Sequence, residues 1–238
     1  MTTTWPLTIR QFGYAVISNV FTTAEIDLIV GDLELVLHRA AEADGPIRDK
    51  AGTVYAGRNL LQLFEPVKTI WCREPLLELL HDVLGPDVGL VRVLFFDKPP
   101  ERTWALPWHK DLTIAVQPHS GESGVFSKPT LKAGVPHVEA SREVLEDMLT
   151  LRIHLDDVTA ENGPLQVIPG SHRLGKTPVA SFETAQTILG SRGDVLAMRP
   201  MQAHRSISSR EGTTQHRRKL IIGISLAVLF VGIVKWLM

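Results

Sequence analysis

The stretch Glu161-Asn-Gly-Pro-Leu-Gln-Val-Ile-Pro-Gly-Ser-His172 decides the fold. Asn162-Gly163 is the strongest short signal for a β-hairpin, and the apolar residues from Leu165 to Ile168 form a strand that pairs back from this turn. Pro169-Gly-Ser-His172 then ends the strand, because these residues favour turns. The stretch therefore indicates short strands joined by tight turns.

Similar short strands lie on both sides of this hairpin. They are predicted at Leu90 to Phe96, Leu112 to Val116, Leu149 to Leu155 and Val195 to Met198. The glycines and prolines between His119 and Pro136 predict a loop there. In the first half, Thr22 or Thr23 caps a helix with Glu25 close behind. The pattern predicts a β-rich α+β fold, a sandwich or jelly roll that carries helices from the N-terminal half.

The composition is that of a globular chain with a sizeable core. The 238 residues are 44% hydrophobic and 21% charged, and a formal net charge of −1 gives no indication of a nucleic-acid partner. The single cysteine, Cys72, excludes an internal disulfide and a cysteine-based zinc site. Residues Thr2 to Arg10 have neither the basic start nor the apolar core of a signal peptide. A cytoplasmic location is therefore predicted, and the oligomeric state is left open.

A candidate metal site begins in the segment from Trp104 to Asp111. Side chains alternate in a strand, so His109 and Asp111 point the same way while Lys110 points away. A second histidine would complete the facial site of two histidines and one carboxylate that binds non-haem Fe(II). The alternative is a pair of solvated polar groups at a strand end.

Three histidines could complete the site. His204 follows a strand by a few residues, His172 lies in a turn, and His154 belongs to a second His-x-Asp pair that ends at Asp156. Spacing cannot choose between the two pairs. Because His154 lies among bulky apolar residues, a hydrogen-bonded core histidine is the commoner outcome there.

From roughly Phe12 to Arg218 the chain resembles the phytanoyl-CoA dioxygenase family of Fe(II)- and 2-oxoglutarate-dependent oxygenases. The order and combination of several segments carry the resemblance. They are Phe96-Asp-Lys-Pro-Pro100, Trp104 to Asp111, Arg152-Ile-His-Leu-Asp-Asp157, Asn162 to Arg173, Gly193-Asp-Val-Leu-Ala-Met-Arg-Pro200, His204 and His216-Arg-Arg218. The resemblance implies a double-stranded β-helix, the jelly roll of cupin-like proteins, and the cofactors Fe(II) and 2-oxoglutarate, with ascorbate in support.

The resemblance also implies roles for residues. His109 and Asp111 are the first ligand pair and His204 is the distal ligand, whereas His154 and His172 belong to the framework. In related halogenases a small residue replaces the carboxylate ligand, so the presence of Asp111 implies hydroxylation. The reaction would hydroxylate an unactivated C–H bond of a small molecule with O₂ and release succinate and CO₂.

The far carboxylate of 2-oxoglutarate requires a buried cation, and the planar fork of an arginine forms two charge-assisted hydrogen bonds to it. The family places this arginine about a dozen residues after the distal histidine. Arg217 matches best, Arg218 is the alternate and Arg210 a third choice, although a solvated basic pair would also explain the sequence. Three further residues are candidates for the cosubstrate or substrate pocket: Lys98, Trp104 and Arg58. The alternative to a pocket role is that the tryptophan packs a loop and that the lysine and the arginine lie at the surface.

The carboxyl terminus departs from the family pattern. Residues 1–218 are predicted to form a single domain, and residues 219–238 form an apolar segment with two interpretations. As a strand, the large side chains of Leu220, Ile222 and Ile224 share one face. As a membrane anchor over residues 220–238, the run from 220 to 234 would rise only about 22 Å against a hydrocarbon core of roughly 30 Å. The alternative to the oxygenase is a non-catalytic jelly-roll protein, with or without such a tail anchor.

Overall fold

A computed structural model describes residues 4–100, 102–116, 126–132 and 134–226. Its five α-helices are α1 Trp5–Phe12, α2 Thr23–Arg39, α3 Leu60–Leu63, α4 Leu76–Leu84 and α5 Arg142–Glu146. Its strands are β1 Tyr14–Ile17, β2 Pro46–Arg48, β3 Val54–Gly57, β4 Val88–Phe96, β5 Leu106–His109, β6 Thr113–Ala115, β7 Phe126–Lys132, β8 Val135–Ala140, β9 Met148–His154, β10 Leu165–Val167, β11 Gln186–Ile188, β12 Val195–Met198, β13 His204–Ser206 and β14 Lys219–Leu226.

The strands form three antiparallel sheets. The main sheet has seven strands in the order β1-β12-β9-β14-β4-β3-β2, the second has the order β11-β10-β13-β5, and the third has the order β6-β8-β7. An apolar cluster with members on β1, β10, β11 and β12 joins the main and second sheets. These stacked antiparallel sheets confirm the predicted jelly roll with flanking helices.

The largest core lies between the main sheet and the helices. Leu220, Ile222 and Ile224 on β14 are fully buried in the same cluster as apolar residues of α1, α2 and α4. Because side chains alternate in a strand, the neighbouring residues of β14 face the other way, toward the second sheet. The main sheet therefore has one apolar face for the helices and an inner face that is free to carry polar groups.

The strand interpretation of the C-terminal segment is confirmed over residues 219–226. β14 lies between β9 and β4 and pairs with both along its length. The membrane helix predicted over residues 220–238 is therefore wrong over 220–226, and residues 227–238 lie outside the described part. Since β14 is central to the main sheet, we propose that the domain predicted for residues 1–218 includes it.

None of the helices within the described ranges, 4–100, 102–116, 126–132 and 134–226, has the length and apolar composition needed to span a bilayer.

The loop predicted from His119 to Pro136 is wrong over its second half, while residues 117–125 lie outside the description. β7 and β8 form a hairpin there, with a register shift between Ser127 and Thr130. Pro129 lies within this irregularity, and β7 is an edge strand. Proline is tolerated at edges and bulges because its missing N–H costs no ladder hydrogen bond there.

The predicted start of α2 is confirmed in detail. The Thr22 hydroxyl accepts a hydrogen bond from the backbone N–H of Glu25, and the Glu25 carboxylate accepts one from the backbone N–H of Thr22. This capping box satisfies two N–H groups that have no partner within the helix. It fixes the start of the longest helix on the outer face of the main sheet.

Candidate metal and cosubstrate site

Strand pairing brings two of the predicted ligands together. β5 and β13 are antiparallel neighbours, and His109 and His204 are directly opposite each other in the register. Their ring centroids are 4.2 Å apart and the ring planes are tilted by 53°. Residues opposite each other across a strand pair extend to the same face of the sheet, so the two imidazoles converge on one point inside the roll.

Asp111 completes the cluster. Its carboxylate oxygens lie 3.9 Å from His109 Nε2 and 3.7 Å from His204 Nε2. Within the described residues these three form the group able to hold a metal, with one ligand atom from each all within 4.8 Å of one another. Two ligands of one metal at about 2.1 Å from it, and at right angles, lie about 3 Å apart. The three side chains therefore need to close by about 1 Å to bind an ion.

Backbone carbonyls fix the tautomers of both imidazoles. His109 Nδ1 lies 2.7 Å from the Pro107 carbonyl oxygen, and His204 Nδ1 lies 2.9 Å from that of Gln202. A carbonyl only accepts hydrogen bonds, so each Nδ1 carries the proton. The lone pair is then left on each Nε2, the nitrogen that faces Asp111. This second contact is the usual means by which a protein orients a metal-binding histidine.

The protonation states also suit a metal. Burial is the main cause that lowers the pKa of His204, which is 2% exposed, so the imidazole is neutral. Burial acts to raise the pKa of Asp111, but positive charge beside the carboxylate, of which the Arg152 guanidinium at 3.0 Å is the permanent part, outweighs it and lowers this pKa below its usual range. Neutral imidazole and ionised carboxylate are the forms that bind metals.

Arg152 contacts two of the three ligands. Its Nη2 donates to Asp111 Oδ2 at 3.0 Å and lies 3.2 Å from His204 Nε2. The guanidinium is almost fully buried, and its Nε has no partner among the described residues. A metal bound by His204 would take the lone pair that Arg152 now contacts. The contact with Asp111 could remain, because a carboxylate has lone pairs for both partners.

The arginines predicted to bind 2-oxoglutarate differ in environment. Arg217 is 3% exposed, lies two residues before β14, and donates from Nη2 to Ser206 Oγ at 2.8 Å. Ser206 is two residues after His204 on β13, so both side chains are on the same face, about 7 Å apart along the strand. Arg217 therefore contacts the face of the second sheet that carries the distal histidine.

Arg218 and Arg210 are engaged by acids instead. Arg218 forms hydrogen bonds with both carboxylate oxygens of Asp156 and with Glu34 at 2.6 Å. Arg210 pairs with Glu161, and its side chain is 74% exposed. Neither guanidinium is free to bind the carboxylate of a ligand inside the roll.

Lys98 is a buried residue of this interior. It is fully buried, and Nζ donates to Ser206 Oγ at 3.1 Å and to the carbonyl oxygens of Gly163 and Ile207. A Cβ on Gly163 would lie 2.7 Å from this Nζ, so the predicted Asn-Gly turn also makes room for the lysine. The alternative of a surface lysine is wrong. Burial, followed by the charge of Arg217, lowers the pKa of Lys98 to about 7.

A fourth buried cation adds to this group. Lys219, two residues after Arg217 on β14, is 8% exposed. Burial is the main cause that lowers its pKa well below 10.5, and the charges of Arg217, Arg152 and Lys98 lower it further. These four residues, Lys98, Arg152, Arg217 and Lys219, form what we call the basic cluster. An excess of buried positive charge is suited to a dianion such as 2-oxoglutarate.

The remaining predicted residues lie around this centre. Trp104 donates from Nε1 to the Asp97 carbonyl oxygen, and its ring centre is 4.6 Å from Lys98 Nζ. Arg58 lines a separate cavity with Arg92. His154 is buried on β9, and the metal-binding group does not include it. His172 lies in the short 3-10 helix Ser171–Leu174, also outside the group.

Sequence reasoning missed Arg152, Lys219 and Ser206. A usable signal was present for Arg152, because it is a single cation within a run of mainly apolar residues predicted as a strand, whereas Lys219 is the last of three consecutive basic residues. A charged residue is almost never fully buried unless it is paired or functional. Ser206 had no such signal, since its role depends on the neighbours that tertiary structure gives it.

Comparison with solved structures identifies the fold. A crystal structure of EctD from S. alaskensis with bound Fe superposes with a TM-score of 0.73 at 17% identity, covering 96% of this chain and 78% of that one. EctD with 2-oxoglutarate and 5-hydroxyectoine gives 0.72 at 17% identity, with 96% and 77% covered. SnoN, a non-haem α-ketoglutarate-dependent epimerase from nogalamycin biosynthesis, gives 0.66 at 18% identity, with 94% and 80% covered.

A search of curated protein sequences found no match. The sequence does match the phytanoyl-CoA dioxygenase (PhyH) family over residues 9–219, which is most of its length. The predicted enzyme class and cofactors are thereby confirmed. This chain belongs to the phytanoyl-CoA dioxygenase family and is a non-haem iron, 2-oxoglutarate-dependent oxygenase.

Proposed function

We propose that the enzyme hydroxylates an unactivated C–H bond of a small molecule, with Fe(II) held by His109, Asp111 and His204. The single observation that carries this proposal is the register of β5 and β13, which sets the two imidazoles opposite each other with Asp111 beside them. Bound Fe(II) supplies the activation of O₂: one oxygen atom enters the substrate C–H as hydroxyl, and the other enters succinate as 2-oxoglutarate loses CO₂. SnoN, an epimerase, has the same fold, so the fold alone does not decide the outcome.

Arg217 is the proposed anchor for the far carboxylate of 2-oxoglutarate. It is the candidate arginine with no carboxylate partner among the described residues, and its Nε is buried without a hydrogen bond. Ser206 accepts from both Arg217 and Lys98, which holds the two cations side by side. The role of these residues is to bind and orient the cosubstrate, with the keto acid end directed along β13 toward His204.

Arg152 has the proposed role of a positioning residue. Its hydrogen bond to Asp111 Oδ2 leaves the other carboxylate oxygen directed toward His109. When the metal binds, we expect Arg152 to lose its contact with His204 Nε2 and to retain its hydrogen bond to Asp111. Asp111 is then oriented for binding through one oxygen, which leaves more of the metal open to cosubstrate and O₂.

Succinate release and metal binding test the proposal together. The full chain, given Fe(II), ascorbate, 2-oxoglutarate and air, should form succinate slowly without added substrate. His109→Ala and His204→Ala should each weaken Mn(II) binding, used as a redox-stable probe, by 100-fold or more, on the order of the loss of a whole ligand. The matched control is His154→Ala, which should keep metal binding and lose stability.

The opposite pattern contradicts the assignment. Intact Mn(II) binding in His109→Ala, with loss in His154→Ala, would transfer the site to the second His-x-Asp pair. The reaction type has its own test once a substrate is known. A product that has gained one oxygen atom supports hydroxylation, and a product of unchanged mass indicates epimerisation instead.

A further inference from the structure

A second cavity lies next to the proposed iron site. Its volume is about 260 Å³, slightly below the roughly 300–1,000 Å³ of pockets for drug-sized ligands. The wall consists of the segment from Arg58 to Gln62, the middle of β4, the end of β6, and the turn between β7 and β8. Much of it is aliphatic, with Leu90 and Val116 among the lining residues. The size and the wall suit a small molecule with an apolar body.

Three cations line this cavity: Arg58, Arg92 and Lys132. No carboxylate within the described ranges forms an ion pair with any of them, and the contact made by Lys132 Nζ is a 3.3 Å hydrogen bond to the Thr113 hydroxyl. Burial lowers the pKa of Arg92, and the charges of Arg58 and Arg152 lower it further, while Asp111 opposes the change. Unpaired cations around a partly buried, mainly apolar space favour an anionic ligand.

His137 contributes a hydrogen-bond acceptor. It is 3% exposed, and its Nδ1 lies 2.9 Å from the Val135 carbonyl oxygen, so Nδ1 carries the proton. Nε2 is buried without a hydrogen-bond partner among the described residues, and the residue lines the cavity. Burial, the main cause, lowers the pKa of His137 to about 4, which keeps the ring neutral. A buried lone pair of this kind calls for a donor on the ligand.

The cavity and the iron site are linked by shared wall residues. Val91 and Arg92 line it and also line a smaller cavity that Asp111 borders. β6 begins two residues after Asp111 and ends in the cavity wall at Ala115. A molecule bound in the cavity thus lies on the Asp111 side of the metal ligands.

We propose that this cavity binds the substrate, and that the substrate is a small apolar molecule with a carboxylate or phosphate held by Arg58, Arg92 and Lys132. A hydroxyl or N–H group of the same molecule donates to His137 Nε2. The inference rests on the proposed function, since it identifies the ligand as the molecule to be hydroxylated. The anionic group fixes one end of the molecule, and the aliphatic wall holds its apolar part.

Direct binding to the full chain tests the head group. The probes are hexanoate, hexyl phosphate and 1-hexanol, titrated calorimetrically with saturating 2-oxoglutarate and Mn(II) present. We expect one of the two anions to bind at least about tenfold more tightly than 1-hexanol, because a hydrogen bond to a charged group adds that much or more. The tighter of the two identifies the carboxylate or the phosphate as the natural head group.

Arginine variants locate the binding. Arg58→Gln and Arg92→Gln should each lower the affinity for the anion about tenfold and leave 1-hexanol unchanged, and Arg92→Lys should retain part of the affinity. The matched control is Arg39→Gln, an exposed arginine at the end of α2, which should change nothing. Melting temperatures establish that each variant is folded. Equal affinity for anions and 1-hexanol, or unchanged anion affinity in Arg92→Gln, would overturn the proposal.

The acceptor at His137 has a separate test with the isomeric hydroxyhexanoates. At least one isomer should bind more tightly than hexanoate, and His137→Leu should remove that gain and leave hexanoate binding unchanged. If no hydroxyhexanoate isomer binds more tightly than hexanoate, the assignment of His137 as an acceptor for the ligand is wrong.

Failure of the proposed function is distinguishable from failure of this inference. An enzyme that binds Mn(II) and releases succinate, but does not prefer anions in the cavity, retains the oxygenase proposal and loses this substrate class. A chain that binds no metal, yet binds the anion through Arg58 and Arg92, loses the proposed catalysis and retains a ligand site. Loss of anion binding in Arg217→Gln alone would mean that the probe occupies the cosubstrate anchor, which overturns the inference.

Discussion

At the scale of single residues, adjacent arginines have opposite environments. Arg217 faces the interior and donates to Ser206, whereas Arg218 faces Asp156 and Glu34 on the other side of the strand. This follows from the alternation of side chains in the paired segment that leads into β14, where neighbouring residues point to opposite faces. The same alternation explains why a match to a basic pair in the sequence cannot by itself identify the cosubstrate anchor.

Exchange of each arginine separates these roles. Arg217→Gln should raise the KM for 2-oxoglutarate by about 10- to 100-fold, because one or two charge-assisted hydrogen bonds are lost. Arg218→Gln should leave this KM within about twofold and lower the melting temperature, because it breaks a bidentate contact with Asp156. Succinate formation at increasing 2-oxoglutarate measures both. A large KM change in Arg218→Gln alone would identify Arg218 as the anchor.

The lowered pKa of Lys98 predicts how cosubstrate binding depends on pH. Its pKa is about 7 in the folded protein against an ordinary value of 10.5, so the folded chain binds fewer protons between these values. The destabilisation by Lys98 is therefore complete below about pH 7 and disappears as the pH rises toward 10.5. A bound dianion should raise this pKa again, so 2-oxoglutarate binding takes up a proton.

The affinity for 2-oxoglutarate should accordingly fall as the pH rises above about 7. Calorimetric titration in buffers of different ionisation enthalpy measures both the affinity and the proton uptake. In Lys98→Met the dependence in this range should flatten, because the titrating group is removed. An affinity that rises with pH in the wild-type chain would contradict the assigned direction.

At the scale of elements, β14 has the greatest influence on both core and site. One face of the strand packs against the helices through Leu220, Ile222 and Ile224. The other face carries Lys219 into the interior, next to Arg217 from the segment just before the strand. The large apolar residues of this alternating pattern thus pack in the core, and residues between them face the site. A substitution on the core face should affect stability before it affects ligand binding.

A matched pair of leucines tests this division. Leu220→Ala should lower the free energy of unfolding by about 2–5 kcal/mol, because it leaves a cavity in a fully buried place. Leu35→Ala on α2 is the control: Leu35 is 47% exposed, and its loss should cost less than about 0.5 kcal/mol. Denaturant unfolding at equilibrium measures both. Equal effects in the two variants would mean that residues 219–226 do not form the central strand.

At the scale of the whole molecule, the basic cluster draws on two strands of the main sheet, the segment after β4 and the segment before β14. Lys98 follows β4, Arg152 lies on β9, Arg217 precedes β14, and Lys219 begins β14. The like charges lower one another's pKa values, so their mutual repulsion opposes folding. A bound dianion offsets this repulsion in addition to the usual gain from ligand binding.

Removal of cosubstrate and metal should therefore destabilise the whole domain. At 100 times its dissociation constant, a ligand that binds the folded state alone adds about 2.7 kcal/mol. We expect a clear rise in melting temperature when Mn(II) and 2-oxoglutarate are added together, and a smaller rise in Arg217→Gln. If Mn(II) and 2-oxoglutarate at high concentration left the melting temperature of the wild-type chain unchanged, binding of 2-oxoglutarate by the basic cluster would be contradicted.

The sequence by itself determined the local features of this protein. The Asn-Gly turn, the capping box of α2, the shared face of His109 and Asp111 and the alternation in residues 220–226 all depend on neighbours a few positions apart. The family resemblance added His204 and Arg217. Both stay predictions as functional residues, although both lie where the site requires them.

Only the tertiary structure decided which distant residues meet. His204 lies opposite His109 because β13 returns antiparallel to β5, and the spacing of the two His-x-Asp pairs did not predict this. β9 turns His154 toward Lys219 and Asp194 instead. The roles proposed for Arg152 and for the cations of the second cavity likewise depend on neighbours that other strands bring close. The physical reason is that strand periodicity fixes the face on which a side chain lies, while the pairing of strands fixes what it faces.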